Sequence, residues 1–222
     1  MKEEKIIKQN QDTFNNTLKG FKDCLKNLKL SEDEKSFATL VINAWESKIK
    51  DIKWLQNFHR VKNFRSILGF KKELSLKLSF SELMNKIGQH FAEIDCAVHL
   101  VREFPSNIQI EKLLKQSNES ICDFKVYDAT PHFVEVKAIS KFSKGKIEVY
   151  TKKALEQIEC SAGKEGFYGI VWIFTFDNPS DPKQAQDIVK LIKSSSSKPF
   201  NYKLNVQVYG RGLYGDATAR FI

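Results

Sequence analysis

Hydrophobic spacing in the first sixty residues predicts two amphipathic helices. Over 2–29 the apolar residues recur at steps of three and four, the period of one helix face: Phe14, Leu18, Phe21, Leu25 and Leu28. Ser31-Glu32-Asp33-Glu34 then has the pattern of a capping box, in which Ser31 and Glu34 satisfy each other's backbone N–H groups. A second apolar stripe follows over 37–55. We expect an antiparallel helical hairpin, serving either as a support or as a dimer interface.

From Phe80 onward the pattern alternates between helical and strand periods. A capping box at 79–82 predicts a helix that Pro105 ends near Phe104. The elements predicted after it are a strand over 106–114, a hairpin of 121–127 and 132–140, a sheet extension over 147–150, a helix over 151–162, and a buried strand over 167–176. A further helix to about 193 and a strand over 203–209 follow. The predicted core order is therefore α-β-β-β-α-β.

The hairpin over 121–140 carries unusual polar residues. Side chains alternate between the two faces of a strand, so Glu135 and Lys137 share one face, and Asp123 on the partner strand lies beside them. One interpretation is an edge hairpin whose Glu–Lys pair faces water. The other is a site for a hard divalent cation, which prefers carboxylate and carbonyl oxygens. The pattern by itself leaves both interpretations open.

Asp123, eleven further residues, and Glu135-Val136-Lys137 together resemble the signature of the PD-(D/E)XK nucleases. Cys122 stands where the family name has Pro, a position that varies widely among its members. The resemblance covers roughly 80–176 and implies an α/β, restriction-endonuclease-like fold whose mixed central sheet is flanked by helices. The expected division is an N-terminal helical region over 1–79 and a nuclease-like domain over 80–222.

The resemblance also implies roles for individual residues. Asp123, Glu135 and the main-chain carbonyl of Val136 would bind Mg²⁺, with Mn²⁺ as a substitute, and Lys137 would position or deprotonate the attacking water. Glu93, on the first core helix, would add an acidic group, and the alternative is a carboxylate paired with a lysine. Gln157 would face the site from the next helix, and the alternative is a surface glutamine.

Charge suggests a polyanionic partner. The chain of 222 residues has a formal net charge of +9. Most of the excess lies in the basic segment, residues 48–77, where nine Lys and Arg residues face two acidic ones and aromatic residues interleave with them. We expect DNA-backbone contacts from this segment, with four candidates in Lys62, Arg65, Lys71 and Lys72. The alternative is a solvated basic face.

Several classes of protein lack support in the sequence. It contains no C-x-x-C, H-E-x-x-H, G-x-S-x-G or Walker pattern, and no apolar run long enough for a membrane span. The resemblance implies a metal-dependent endodeoxyribonuclease, and we expect it to be cytoplasmic and to form a homodimer through its first two helices. Restriction, phage defence, mobile-element processing and repair are all open as roles. The alternatives are a non-catalytic nucleic-acid-binding module on the same fold and a helical interaction protein.

Overall fold

The structure is a computed structural model that describes residues 2–50, 60–64, 78–115, 120–139, 144–164, 166–175, 201–208 and 217–221. The helices within these ranges are α1 (Lys2–Lys26), α2 (Glu32–Lys50), α3 (Phe80–Glu103) and α4 (Lys144–Ala162). The strands are β1 (Val61–Lys62), β2 (Gln109–Lys112), β3 (Phe124–Tyr127), β4 (His132–Ile139), β5 (Tyr168–Thr175), β6 (Asn201–Val208) and β7 (Ala217–Phe221).

Local capping fixes the start of two helices as the sequence predicts. The Ser79 side chain accepts a hydrogen bond from the backbone N–H of Glu82, and the Glu82 side chain accepts one from Ser79, so α3 begins with a full capping box. Ser31 and Glu34 make the same reciprocal pair before α2. Helix α4 ends before Gly163, whose φ of +62° lies in the left-handed region that glycine adopts without a steric penalty.

The strands form one mixed sheet in the order β1-β2-β3-β4-β5-β6-β7. The central hairpin and its neighbour are antiparallel, since β2 pairs with β3 and β3 with β4 in that sense. Parallel pairs then join β4 to β5 and β5 to β6. The α-β-β-β-α-β order predicted for the core is confirmed by α3, β2, β3, β4, α4 and β5.

Helices cover both faces of the sheet. Alternate residues of β4 and β5 divide between two hydrophobic clusters: Val134, Val136 and Trp172 join the cluster of α3, whereas Phe133 and Val171 join that of α4. The prediction of a mixed sheet flanked by helices on two sides is therefore confirmed.

The helical hairpin packs on the outer side of α3. The cluster of α3 also buries several described residues of the two apolar stripes: Phe14, Leu18, Phe21 and Leu25 of α1, and Val41 and Trp45 of α2. The Trp45 ring lies 5.5 Å from the rings of both Phe14 and Phe91. The described apolar residues that suggested a dimer interface are thus buried or partly buried within the chain, and the end of the second stripe lies outside the described residues. A homodimer through these helices stays a prediction, and it would use their polar outer faces.

The sheet extension predicted over 147–150 is wrong, because these residues form the first turns of α4. Ile147, Ala154 and Ile158 are buried at helical spacing, and the Thr151 hydroxyl donates to the Ile147 carbonyl, so Thr151 lies inside the helix rather than at its start. The burial of Ile147 in this helix, in one cluster with β5 residues, overrides the strand preference of the stretch. Strand β2 is also shorter than the predicted 106–114.

Other predictions fall partly outside the described residues. The helix predicted up to about 193 lies there, as do Arg65, Lys71 and Lys72 of the basic segment. The last predicted strand is confirmed by β6, whereas β7 had no counterpart in the sequence analysis.

Candidate active site

Asp123 lies immediately before β3, at the point where β3 and β4 separate. Its backbone N–H donates to the Val134 carbonyl at 2.9 Å, and its side-chain Oδ2 accepts from the Val136 N–H at 2.9 Å. The Asp123 side chain therefore accepts the hydrogen bond that a backbone carbonyl of β3 would accept if the β3–β4 ladder continued by one more pair. Asp123 and Glu135 are both buried, at 2 % and 0 % exposed.

Glu135 and Lys137 lie two residues apart on the face of β4 that α4 covers. The Lys137 ammonium donates to Glu135 Oε1 and to Gln157 Oε1. Gln157 Nε2 in turn donates to the Ile121 carbonyl at 3.3 Å, which ties α4 to the start of the hairpin. Gln157 is thus a partner of Lys137 rather than a surface glutamine.

Two further lysines enter the cluster from the segment that begins in β2. The Lys112 ammonium lies 2.8 Å from Asp123 Oδ1 and 2.8 Å from Glu93 Oε2. The Lys115 ammonium lies 3.2 Å from Asp123 Oδ1 and 3.5 Å from Glu135 Oε1. Three carboxylates and three ammonium groups therefore meet at one end of the hairpin, and Lys115 bridges the two predicted metal ligands.

The two central carboxylates respond differently to their surroundings. Burial by itself raises the pKa of Asp123, but the charges of Lys112 and Lys115 outweigh it and hold that pKa at about 2. Burial and the charge of Asp123 raise the pKa of Glu135 to about 7, against the opposing effects of Lys137 and Lys115. Asp123 is thus a fixed anion, whereas Glu135 is the more readily protonated of the two. Such separated pKa values are typical of functional sites.

Glu93 faces the cluster from α3, but its partners are a lysine and a glutamine. Besides Lys112, it accepts a hydrogen bond from Gln89 Nε2 at 3.1 Å. The Gln89 amide also bonds the backbone of β4, donating to the Val136 carbonyl and accepting from the Ala138 N–H, both at 3.0 Å. Gln89 thereby replaces the strand partner that β4 lacks beyond Asp123, and the Val136 carbonyl keeps one lone pair.

Cys122, which stands where the family name has proline, has a structural reason to differ. Its backbone N–H donates to the Ser161 hydroxyl of α4 at 2.7 Å. A proline at this position would lack that donor. The bond helps to hold the residue next to Asp123 against α4.

The acidic residues suit one divalent cation better than several. Asp123 and Glu135 present oxygens to the single ammonium group of Lys115, and Glu135 Oε2 is buried with no hydrogen-bond partner among the described residues. A cation in the place of that ammonium group would be held by these two carboxylates, and the Val136 carbonyl is the further ligand that the resemblance implies. Within the same residues, no group of three His, Cys, Asp or Glu side chains is arranged to hold a metal.

The basic segment is only partly described, and two of its members bond within the chain. Lys62 pairs with Glu111 at 3.0 Å, although its side chain is 58 % exposed. The Arg60 guanidinium donates to the carbonyls of Val101, Phe104 and Pro105, which caps the C-terminal end of α3. Arg60 therefore holds β1 to α3. Lys62 remains accessible to a partner.

Sequence reasoning missed three residues of this cluster. Lys112 and Lys115 lie three residues apart in a segment whose polar residues are expected to face solvent. Nothing in their spacing marks them as partners of Asp123. Gln89 had a usable signal, since it precedes Glu93 by four residues and therefore shares its helix face.

No helix in the described part of the chain is long and apolar enough to cross a membrane. Comparisons of the sequence with protein-family models and with curated proteins, and of the structure with solved structures, find no match. A functional assignment therefore rests on the residues and their geometry.

Proposed function

We propose that this chain is a Mg²⁺-dependent nuclease that hydrolyses phosphodiester bonds in DNA, with a restriction-endonuclease-like core of the PD-(D/E)XK type. The observation that carries the proposal is the meeting of Asp123, Glu135 and Lys137 where β3 and β4 separate, with one ammonium group between the two carboxylates. The element order from α3 to β5 supports the same core.

The chain's own residues would divide the work. Asp123 and Glu135 would hold the cation after Lys115 leaves, and a bound Mg²⁺ supplies Lewis-acid polarisation of a phosphoryl oxygen and a lower pKa for water. Lys137 is fixed by Glu135 and Gln157, so its remaining N–H is available to orient the nucleophile or to stabilise charge on phosphate. Lys115, once displaced, is a cation next to the substrate phosphate.

A second candidate is a nucleic-acid-binding module whose charge cluster is structural. The observation in its favour is the balance of three carboxylates by three ammonium groups, which completes the cluster without a metal. Buried ion pairs of this kind occur without catalysis. The two candidates differ in one testable respect, since only the nuclease needs a divalent cation.

The direct test is cleavage of supercoiled plasmid, short duplex DNA and a matched RNA, each with Mg²⁺, with Mn²⁺ and with EDTA. We expect cleavage of DNA that EDTA abolishes and that Asp123→Asn lacks. Asp128→Asn is the matched control, because Asp128 is an exposed aspartate in the hairpin turn. RNA cleavage alone would move the substrate to RNA. Metal-independent DNA binding without cleavage would favour the second candidate.

A further inference from the structure

Lys112 is the most enclosed cation of the cluster. Its side chain is 10 % exposed, and its ammonium group lies 2.8 Å from both Glu93 and Asp123. The ammonium group also lies 5.0 Å from the centroid of the Phe124 ring. Lysine is seldom buried without such pairing, so this arrangement fixes the ammonium group between two carboxylates that come from α3 and from the start of β3.

Those two carboxylates need a cation between them. Glu93 is 17 % exposed and Asp123 is 2 % exposed, so their negative charges repel each other with little screening by water. In a site for two metal ions, the second ion would neutralise such a pair. Here the chain supplies that charge itself, in a side chain that the β2–β3 ladder anchors through the pairing of Lys112 with Phe124.

The remaining contacts of the two acids also argue against a second metal ion. Glu93 is held by Gln89, whose amide is itself tied to the backbone of β4 at two positions. Asp123 Oδ2 accepts from the Val136 N–H, which leaves Oδ1 for the lysines. Of the two ammonium groups at Oδ1, Lys115 is the more accessible, with 38 % of its side chain exposed.

We propose that Lys112 is a positioning residue whose ammonium group takes the place of a second divalent cation, so that the site accepts one metal ion and Glu93 is not a metal ligand. The inference rests on the proposed nuclease function, in which a cation binds Asp123 and Glu135. Lys112 acts through Asp123, whose Oδ1 it holds towards the position that Lys115 occupies.

The test is the stoichiometry of Mn²⁺ binding to the full chain at one fixed pH, by titration calorimetry and electron paramagnetic resonance, without DNA. Wild type is expected to bind one ion. Glu93→Gln is expected to bind one ion with an affinity within about tenfold of wild type, because only a neighbouring charge is lost. Glu103→Gln, at the end of α3, is the matched control.

Lys112→Met tests the same proposal in the opposite direction, as a variant that should gain a metal ion. Removing the ammonium group leaves Glu93 and Asp123 facing each other, so this variant is expected to bind two ions, and Glu93→Gln added to it is expected to restore one. A Mn²⁺-dependent rise in melting temperature that exceeds that of wild type would accompany the second ion. If Lys112 were purely structural, its replacement would not change the number of bound ions. If Lys112→Met fails to fold, the number of ions bound by Glu93→Gln tests the proposal.

The outcomes separate the two proposals. Two ions in wild type, one ion in folded Lys112→Met, or loss of the ion in Glu93→Gln would each overturn the role of Lys112 and leave the nuclease proposal standing. Failure of wild type to bind any divalent cation would overturn both.

Discussion

Two buried polar regions meet at α3, and they deal with burial in opposite ways. On the side of the helical hairpin, His90 packs 5.6 Å from the Trp45 ring, and burial, followed by the charge of Lys112, lowers its pKa to about 3. On the side of β2 and β3, Asp123 is equally buried but stays ionised beside two lysines. His90 is held neutral by burial, whereas the cluster keeps its charges by pairing them.

This difference separates a region that stabilises the fold from the region in which we propose the chemistry. Aromatic packing around Trp45 and Phe91 needs no ion and stabilises the chain. Buried ion pairs contribute little net stability, since desolvation offsets their attraction. Under the proposed function, these ion pairs are kept at the end of the hairpin for metal binding and catalysis. Variants of the two regions should separate activity from stability.

The largest effect is expected in the cluster. Asp123→Asn, Glu135→Gln and Lys137→Ala should each lower DNA cleavage by roughly a thousandfold or more, because they remove a metal ligand or the group that assists the nucleophile. All three should stay folded and bind DNA. Titration calorimetry should show weakened Mg²⁺ binding for the two acid variants only.

Lys125→Ala is the control for Lys137→Ala, since Lys125 lies on β3 with its ammonium group over aromatic rings, outside the carboxylate cluster. Normal cleavage by the Asp123→Asn, Glu135→Gln double variant would show that these two carboxylates are not the metal ligands of a nuclease site, and would contradict the proposal.

In the helical core, Trp45→Ala should cost about 3–5 kcal/mol of unfolding free energy, the usual cost of removing a large buried ring. Chemical denaturation measures it. Cleavage per folded molecule should stay near that of wild type, because Trp45 touches no member of the cluster. A loss of cleavage without a loss of stability would contradict the separation of the two regions.

The pH dependence of stability should have opposite signs in the two regions when EDTA keeps the protein free of metal. The raised pKa of Glu135 means that stability is lost as pH rises from 4.5 towards 7, by up to about 3 kcal/mol. The lowered pKa of His90 means that stability is lost as pH falls below 6.5. In wild type the two slopes oppose each other between pH 4.5 and 6.5.

Two variants separate these slopes in denaturation curves taken from pH 4 to 8. Glu135→Gln should make the fall of stability between pH 4.5 and 7 smaller than in wild type, and should keep the rise that His90 causes and the fall that the raised pKa of Glu93 adds. His90→Leu should remove the rise and keep the fall that Glu135 and Glu93 cause. Parallel curves for wild type and Glu135→Gln would show that Glu135 titrates normally in the folded chain.

The smallest effect per residue is expected in the basic segment. Charge reversal at Lys62, Arg65, Lys71 and Lys72 should weaken DNA binding for all sequences alike and reduce the salt dependence by about one unit per lost phosphate contact. Fluorescence anisotropy at several salt concentrations measures both. Reversal of Lys26 and Lys35, which pair within α1 and α2, is the control. Unchanged affinity in the first variant would make the segment a solvated face.

The sequence predicts the hairpin well because its signals are local. Alternating side chains and the turn at 128–131 fix which residues of β4 share a face. The capping box fixes the residue at which α3 begins and therefore the direction in which Glu93 points, so its approach to Asp123 could be predicted from local signals. Glu93 pairs with Lys112, as in the alternative interpretation, and its role in the site stays a prediction.

The lysines of the cluster could not be predicted because their role depends on pairing between distant segments. Lys112 becomes buried only when β2 docks on β3, and Lys115 reaches Asp123 and Glu135 only after that. The same limit explains residues 147–150, whose β-branched and aromatic side chains favour a strand. They form a helix because Ile147 joins the apolar stripe of α4 that packs against the sheet. Lys62, by contrast, combines an ion pair with an exposed side chain, so its predicted DNA contact stays a prediction.

The most direct measurement is a crystal structure of the protein soaked with Mn²⁺, analysed by anomalous scattering. The account predicts one peak between the carboxylates of Asp123 and Glu135, with the Lys115 ammonium group displaced and the contacts of Lys112 to Glu93 and Asp123 retained. Absence of a peak at these two carboxylates, with Lys115 still bridging them, would contradict the account.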